Sequence, residues 1–189
     1  MSRAAFYKAA FAIAITIFLS LSLHAQTTAK KIADIKMSVA EADRMATLAE
    51  GDDYSSVFIV ELNVNPKENQ YPAVGTFTST AKFYYTYGDR EKNPYPNRIL
   101  KIAMTTRRSA MTELTTIYFR GSGEMIFYSK KIDGDESSDR SVYMIAGLPV
   151  RFESRGKIVP VKSSESVQFT KEAIAEKMRL MRIFTAAVE

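Results

Sequence analysis

Apolar positions in this chain recur with two different periods. Between Val57 and Val161 they alternate with polar positions, the two-residue period of a half-buried strand. On either side of that region they return every three or four residues, the period of a helix packed by one face.

The alternating region divides at turn residues. Val57–Val64 carries Phe58, Val60, Leu62 and Val64 on one side and ends at Asn65-Pro66. Gly75–Tyr87 sets Phe77, Ala81, Phe83, Tyr85 and Tyr87 on one face, and Thr78, Thr80, Lys82, Tyr84 and Thr86 on the other. Strands are then predicted at Arg98–Thr106, Thr112–Arg120, Glu124–Ile132, Arg140–Ala146, Val150–Arg155 and Lys157–Val161, the last interrupted by Pro160. Between them stand Gly121-Ser122-Gly123, the polar stretch from Asp133 to Asp139, Gly147-Leu148-Pro149 and Arg155-Gly156. Connections this short cannot join parallel strands, whose crossovers need a dozen residues or more. The expectation is a single curved antiparallel β-meander of about seven or eight strands.

Two helices flank it. Ser38 and Glu41 spell a capping box, and Val39, Ala42, Met45, Ala46, Leu48 and Ala49 follow at helical spacing up to Gly51, which predicts a helix over 39–50. Residues 26–37 read either as a short strand or as an ordered lead-in. Ser163 or Ser164 caps a second helix at about 165–187, with Val167, Ile174, Met178, Met181 and Val188 on its apolar stripe, widened by Ala173, Leu180 and Phe184. Glu172, Glu176, Lys177, Arg179 and Arg182 fall on the opposite, solvated side. The sheet is the only large apolar partner available, so both helices are expected on one face of it, in one α+β domain over 26–189.

Residues 1–25 read as a secretory signal peptide. Arg3 and Lys8 precede an uncharged apolar stretch from Ala9 to Leu23, and Ala25 offers a small residue for cleavage. A stretch of about 15 apolar residues is short of the roughly 20 that cross a bilayer. The expectation is a periplasmic or secreted protein with no transmembrane span after cleavage. The formal charge of the whole chain, +5, then falls by two, a mild excess that gives no reason to expect nucleic acid.

Composition narrows the chemistry. The chain has no cysteine, and its one histidine, His24, lies in the segment expected to be removed. Imidazole general bases, thiol nucleophiles and the usual zinc ligands are therefore missing. Asp133, Asp135, Ser137 and Asp139 alternate as in a calcium loop, but glycine stands at the second position and Met144 at the twelfth, where a bidentate glutamate is needed. That stretch reads as a solvated hairpin turn. Ser79 and Lys82 have the spacing of a serine nucleophile and its lysine, yet a strand puts them on opposite faces. Glu61, Glu113, Glu124, Glu136 and Glu153 remain as acids that a glycosidase could use in pairs. No catalytic residue, metal ligand or cofactor site is assigned.

The succession of amphipathic strands, the unit from Ile117 to Tyr128 built around Gly121-Ser122-Gly123, and the closing helix together resemble uncharacterised secreted bacterial β-meander proteins. A curved sheet cradling helices also resembles periplasmic lipoprotein carriers, a resemblance that implies a cavity for acyl chains. The functional expectation is a non-enzymatic binding protein that holds an apolar or amphipathic ligand between sheet and C-terminal helix. The candidate binding residues are Tyr85, Tyr87, Tyr118, Tyr128, Tyr143, Met178, Met181 and Phe184. The ligand classes considered are lipid-like molecules and glycans. The alternatives are a module that recognises another envelope protein, and a carboxylate-dependent glycan hydrolase.

Overall fold

A computed structural model describes residues 28–51, 56–71, 75–89, 91–121, 123–134 and 137–188. The signal-peptide segment, and Asp135 and Glu136 of the acidic turn, lie outside the described residues. The chain forms two compact units, residues 1–36 and residues 37–189. In the first, residues 28–36 are helical.

The second unit is built on one open antiparallel sheet. Its strands are β1 (Val57–Val64), β2 (Gln70–Tyr71), β3 (Gly75–Tyr87), β4 (Pro96–Arg108), β5 (Met111–Arg120), β6 (Glu124–Asp133), β7 (Ser138–Ile145), β8 (Leu148–Ser154) and β9 (Lys157–Val159). The order β1-β3-β4-β5-β6-β7-β8-β9 is that of a meander, and the two-residue β2 hangs on the start of β3. The turns do what their chemistry requires. Ala146-Gly147 and Arg155-Gly156 each take positive φ at both residues, as tight two-residue hairpins with the right twist need.

The helix predicted over 39–50 is longer: α1 is helical throughout 28–50, so the stretch before Ser38 is neither strand nor lead-in. Ser38 caps nothing. It lies inside the helix and its hydroxyl accepts a hydrogen bond from Arg120 Nη2 at 3.0 Å, while Glu41 pairs with Arg44 at 2.7 Å. The C-terminal helix α2 (Ser164–Val188) starts as expected, with Ser163 Oγ accepting from the Ser166 amide at 3.2 Å.

The two helices do not share a face. α2 buries Phe169, Ala173, Leu180 and Phe184 against Phe83, Ile102, Ile117, Tyr128, Val142 and Phe152. Ala46 of α1 packs with Val57, Tyr84 and Leu100, which point the other way. The sheet is therefore sandwiched over part of its area. Local irregularity contributes. The partners of β3 jump from Lys101 to Ile99, leaving Leu100 as an extra residue, so Leu100 and Lys101 fall on the α1 side together. A similar jump in β6 leaves out Ile126. The apolar stripe of α2 is also turned from its expected position: Val167, Ile174 and Met178 are exposed. One residue of shift along a helix rotates a face by about 100°.

Candidate functional site

Polar side chains interrupt the core face of the sheet near the far end of β4. Strand alternation brings Ser79, Thr106, Glu113 and Lys130 to the same side as Phe83 and Ile117, and α2 adds Glu172, Glu176 and Arg179. Together with Val64, Phe77, Met104, Arg108 and Tyr128 they line a cleft of about 480 Å³, a size within the range of small-molecule sites.

Its centre is an ion triad. Lys130 Nζ lies 3.1 Å from Glu113 Oε1 and 2.7 Å from Glu172 Oε1. The side chains of Lys130 and Glu113 keep only 17% and 13% of their exposure. Burial alone would lower the pKa of Lys130, but Glu172 and Glu113 outweigh it and hold the ammonium above its ordinary range. Beside the triad, Arg179 pairs with Glu176 at 2.6 Å and its Nη2 lies 3.5 Å from Met104 Sδ. The hydroxyls of Ser79 and Thr106 are 3.0 Å apart. Arg108 stands at the rim with its guanidinium 5.6 Å from the centre of the Phe77 ring, and among the described residues it has no carboxylate partner. Burial, reinforced by Glu172, Glu176 and Glu113, pushes the Tyr128 phenol well up, so it is a neutral hydroxyl.

A second, more apolar cleft of about 260 Å³ opens at the other end of α2, between Tyr95, Ile99, Met181, Phe184 and Val188, with Arg98 at its edge. Arg98 also borders a cleft of about 370 Å³ on the α1 side, with Met37, Met45 and Leu100.

The eight expected binding residues do not form one site. Met181 and Phe184 line the apolar cleft and Tyr128 the polar one. Tyr85 is core, 5.3 Å from the Phe184 ring and 5.4 Å from Tyr87. Met178 points to solvent, 48% exposed. Tyr118 and Tyr143 belong to the opposite face. They sit in a single register row, Tyr84–Lys101–Tyr118–Phe127–Tyr143–Arg151, that crosses six strands. Neighbouring rings in the row are 5.7 and 4.8 Å apart, and Lys101 lies over both Tyr84 and Tyr118. α1 is fastened to this row by acids: Asp43 accepts from Lys101 and Tyr118, each at 2.7 Å, and Glu50 from Lys82 and Tyr84. The bonds from Tyr84 and Lys82 hold Glu50 below the usual carboxylate range.

Of the strand acids, Glu61 is exposed and bonded by Asn63, Glu124 accepts from the Ala146 amide, and Glu153 pairs with Arg151. Among the described strand acids only Glu113 faces the cleft. Ser79 also lines it, while Lys82 reaches Glu50 on the other face, as strand alternation requires. Glu172 and Glu176, expected in solvent, form the α2 wall. Among the described residues no group of acids is arranged to hold a metal ion, and no helix is long and apolar enough to cross a membrane.

The comparisons add no identity. No family model, no curated protein and no solved structure matches this chain.

Proposed function

We propose that this protein is a non-enzymatic binding protein of the periplasm or cell exterior, and that it holds a small amphipathic ligand non-covalently between α2 and the sheet. The observation that carries the reading is the ion triad of Glu113, Lys130 and Glu172 in a cleft on the core face. Desolvating such a group is expensive, and well-packed apolar residues in its place are often neutral or stabilising. Its presence beside an open cleft is accounted for if the charges meet a ligand. Val64, Phe77 and Met104 offer the apolar part of the wall, and removing ligand surface from water there would contribute about 25 cal/mol per Å². The address rests on the charge, length and cleavage pattern of residues 1–25.

A hydrolase would draw its acid pair from Glu113, Glu172 and Glu176, which line the cleft. Lys130 bridges the first two and Arg179 pairs with the third, which favours holding over bond cleavage. Native mass spectrometry of protein purified gently from its own envelope tests the reading. A small-molecule adduct that disappears on denaturation, and is lost when Thr106→Trp fills the cleft, is the expected result. A bare mass for the unmodified protein, with no ligand-dependent rise in melting temperature, would overturn it.

A further inference from the structure

We infer that the ligand of the polar cleft is zwitterionic, with a primary ammonium and an anionic group joined to an apolar body. The inference rests on the reading of this cleft as a ligand site. Its ground is how the charges are paired. Arg179 and Glu176 neutralise each other. Lys130 is shared by two carboxylates, Glu113 and Glu172, so that end of the cleft carries surplus negative charge. Among the described residues Arg108 is opposed by the Phe77 ring and by no carboxylate, so their charge at the rim is surplus positive. The cleft is neutral in sum and polar along its length.

The register fixes how far apart the two ends are. Thr106 pairs with Glu113, and Arg108 lies two residues further along β4. Two residues along a strand and one strand across place the two backbones roughly 8 Å apart, a gap their long side chains shorten. A purely anionic ligand would satisfy Arg108 and meet the surplus carboxylate. A purely cationic one would do the reverse. A primary ammonium suits the triad better than a quaternary one, because Glu172, the more open of the two acids, can accept its hydrogen bonds. A carboxylate or phosphate suits the planar fork of Arg108.

The chemistry has two sources, an aminophospholipid head group and an apolar amino acid or short peptide. Calorimetry on the purified protein with five probes separates them: decylphosphoethanolamine, leucyl-phenylalanine, decyl phosphate, decylammonium and decyl glucoside. One of the first two is expected to bind at least tenfold tighter than each of the last three, and which one does identifies the source. R108A should lower that affinity at least tenfold and leave decylammonium unchanged. E172Q, with its fold checked by circular dichroism, should lower it while leaving decyl phosphate no weaker. If any singly charged or uncharged probe binds within tenfold of the better zwitterion, the inference is overturned while the ligand site stands. If no probe binds, the ligand site falls and the inference with it.

Discussion

Replacing Lys130 by methionine separates what the ion triad costs from what it holds together. The substitution keeps most of the side-chain volume and removes the ammonium that Glu113 and Glu172 share. Removing one partner from a fully buried ion pair costs about 3–5 kcal/mol. Glu113 keeps 13% of its exposure and Glu172 34%, so water reaches the second acid and reduces the figure to about 2–4 kcal/mol. A domain of this size has about 5–15 kcal/mol in total. With a urea slope of about 2 kcal/mol per molar, the unfolding midpoint followed by circular dichroism should fall by about 1–2 M. The triple variant K130M/E113L/E172L removes all three charges and should regain the wild-type midpoint or pass it. In the wild type the contribution of Lys130 depends on pH at the alkaline end. The folded-state pKa of Lys130 is raised, so its contribution is complete below the ordinary value of 10.5 and is lost as pH rises through the higher folded value. A K130M cost under about 1 kcal/mol, or a triple variant no better than the single one, would refute the account of the cleft as retained against stability.

The other predictions concern how the helices are held. Phe169 is fully buried, 5.2 Å from the Tyr128 ring and 5.4 Å from Phe152, with Arg140 over its face; F169A should cost about 3–5 kcal/mol by urea unfolding. I174E and M178K, on the exposed side of α2, should each stay within about 0.5 kcal/mol of wild type, and a larger loss would show that this side is covered. Glu50 has a lowered folded-state pKa, so its contribution is present above the ordinary value of 4.5 and is lost as pH falls through the lower folded value. E50Q should therefore flatten the decline in stability between neutral pH and pH ~3, and equal slopes for variant and wild type would remove Glu50 from the fastening of α1.

The strands were readable in the sequence because two signals coincide there. Alternation marks each strand, and Gly121, Gly147 and Gly156 mark turns whose backbone takes positive φ. The faces were harder. In β3 both sides carry large rings, Phe83 and Tyr85 on one, Tyr84 on the other, and all three are buried. Alternation then names two faces without saying which is covered, and the extra residue at Leu100 moves its neighbour across. In α2 the apolar residues outnumber the positions that touch the sheet, so Phe169, Ala173 and Leu180 compete with Val167, Ile174 and Met178 for the buried side. In α1, Ala42 and Ala46 are buried one helical turn apart, and Ser38 stands one turn before them, where its hydroxyl imitates a cap. The polar cleft did leave a trace. Glu113 has the same strand parity as Ile117 and Phe119, and Lys130 that of Tyr128, so charges stood at core positions. Strand parity does not pair them, because Glu113 and Lys130 lie on neighbouring strands whose register only the structure supplies.

The meander order has a consequence for how the molecule comes into being. From β3 to β9 each strand pairs with the next in sequence, so the sheet can assemble hairpin by hairpin with short loop closures, the arrangement that favours fast folding. The element that seals its apolar side is α2, which follows every strand in the chain. Until it docks, Phe83, Ile102, Ile117 and Phe152 have no cover from it. The hazard of aggregation is therefore concentrated in one late interval, between completion of the last hairpin and the arrival of Phe169, and substitutions that slow that single step should lower yield well before they lower equilibrium stability.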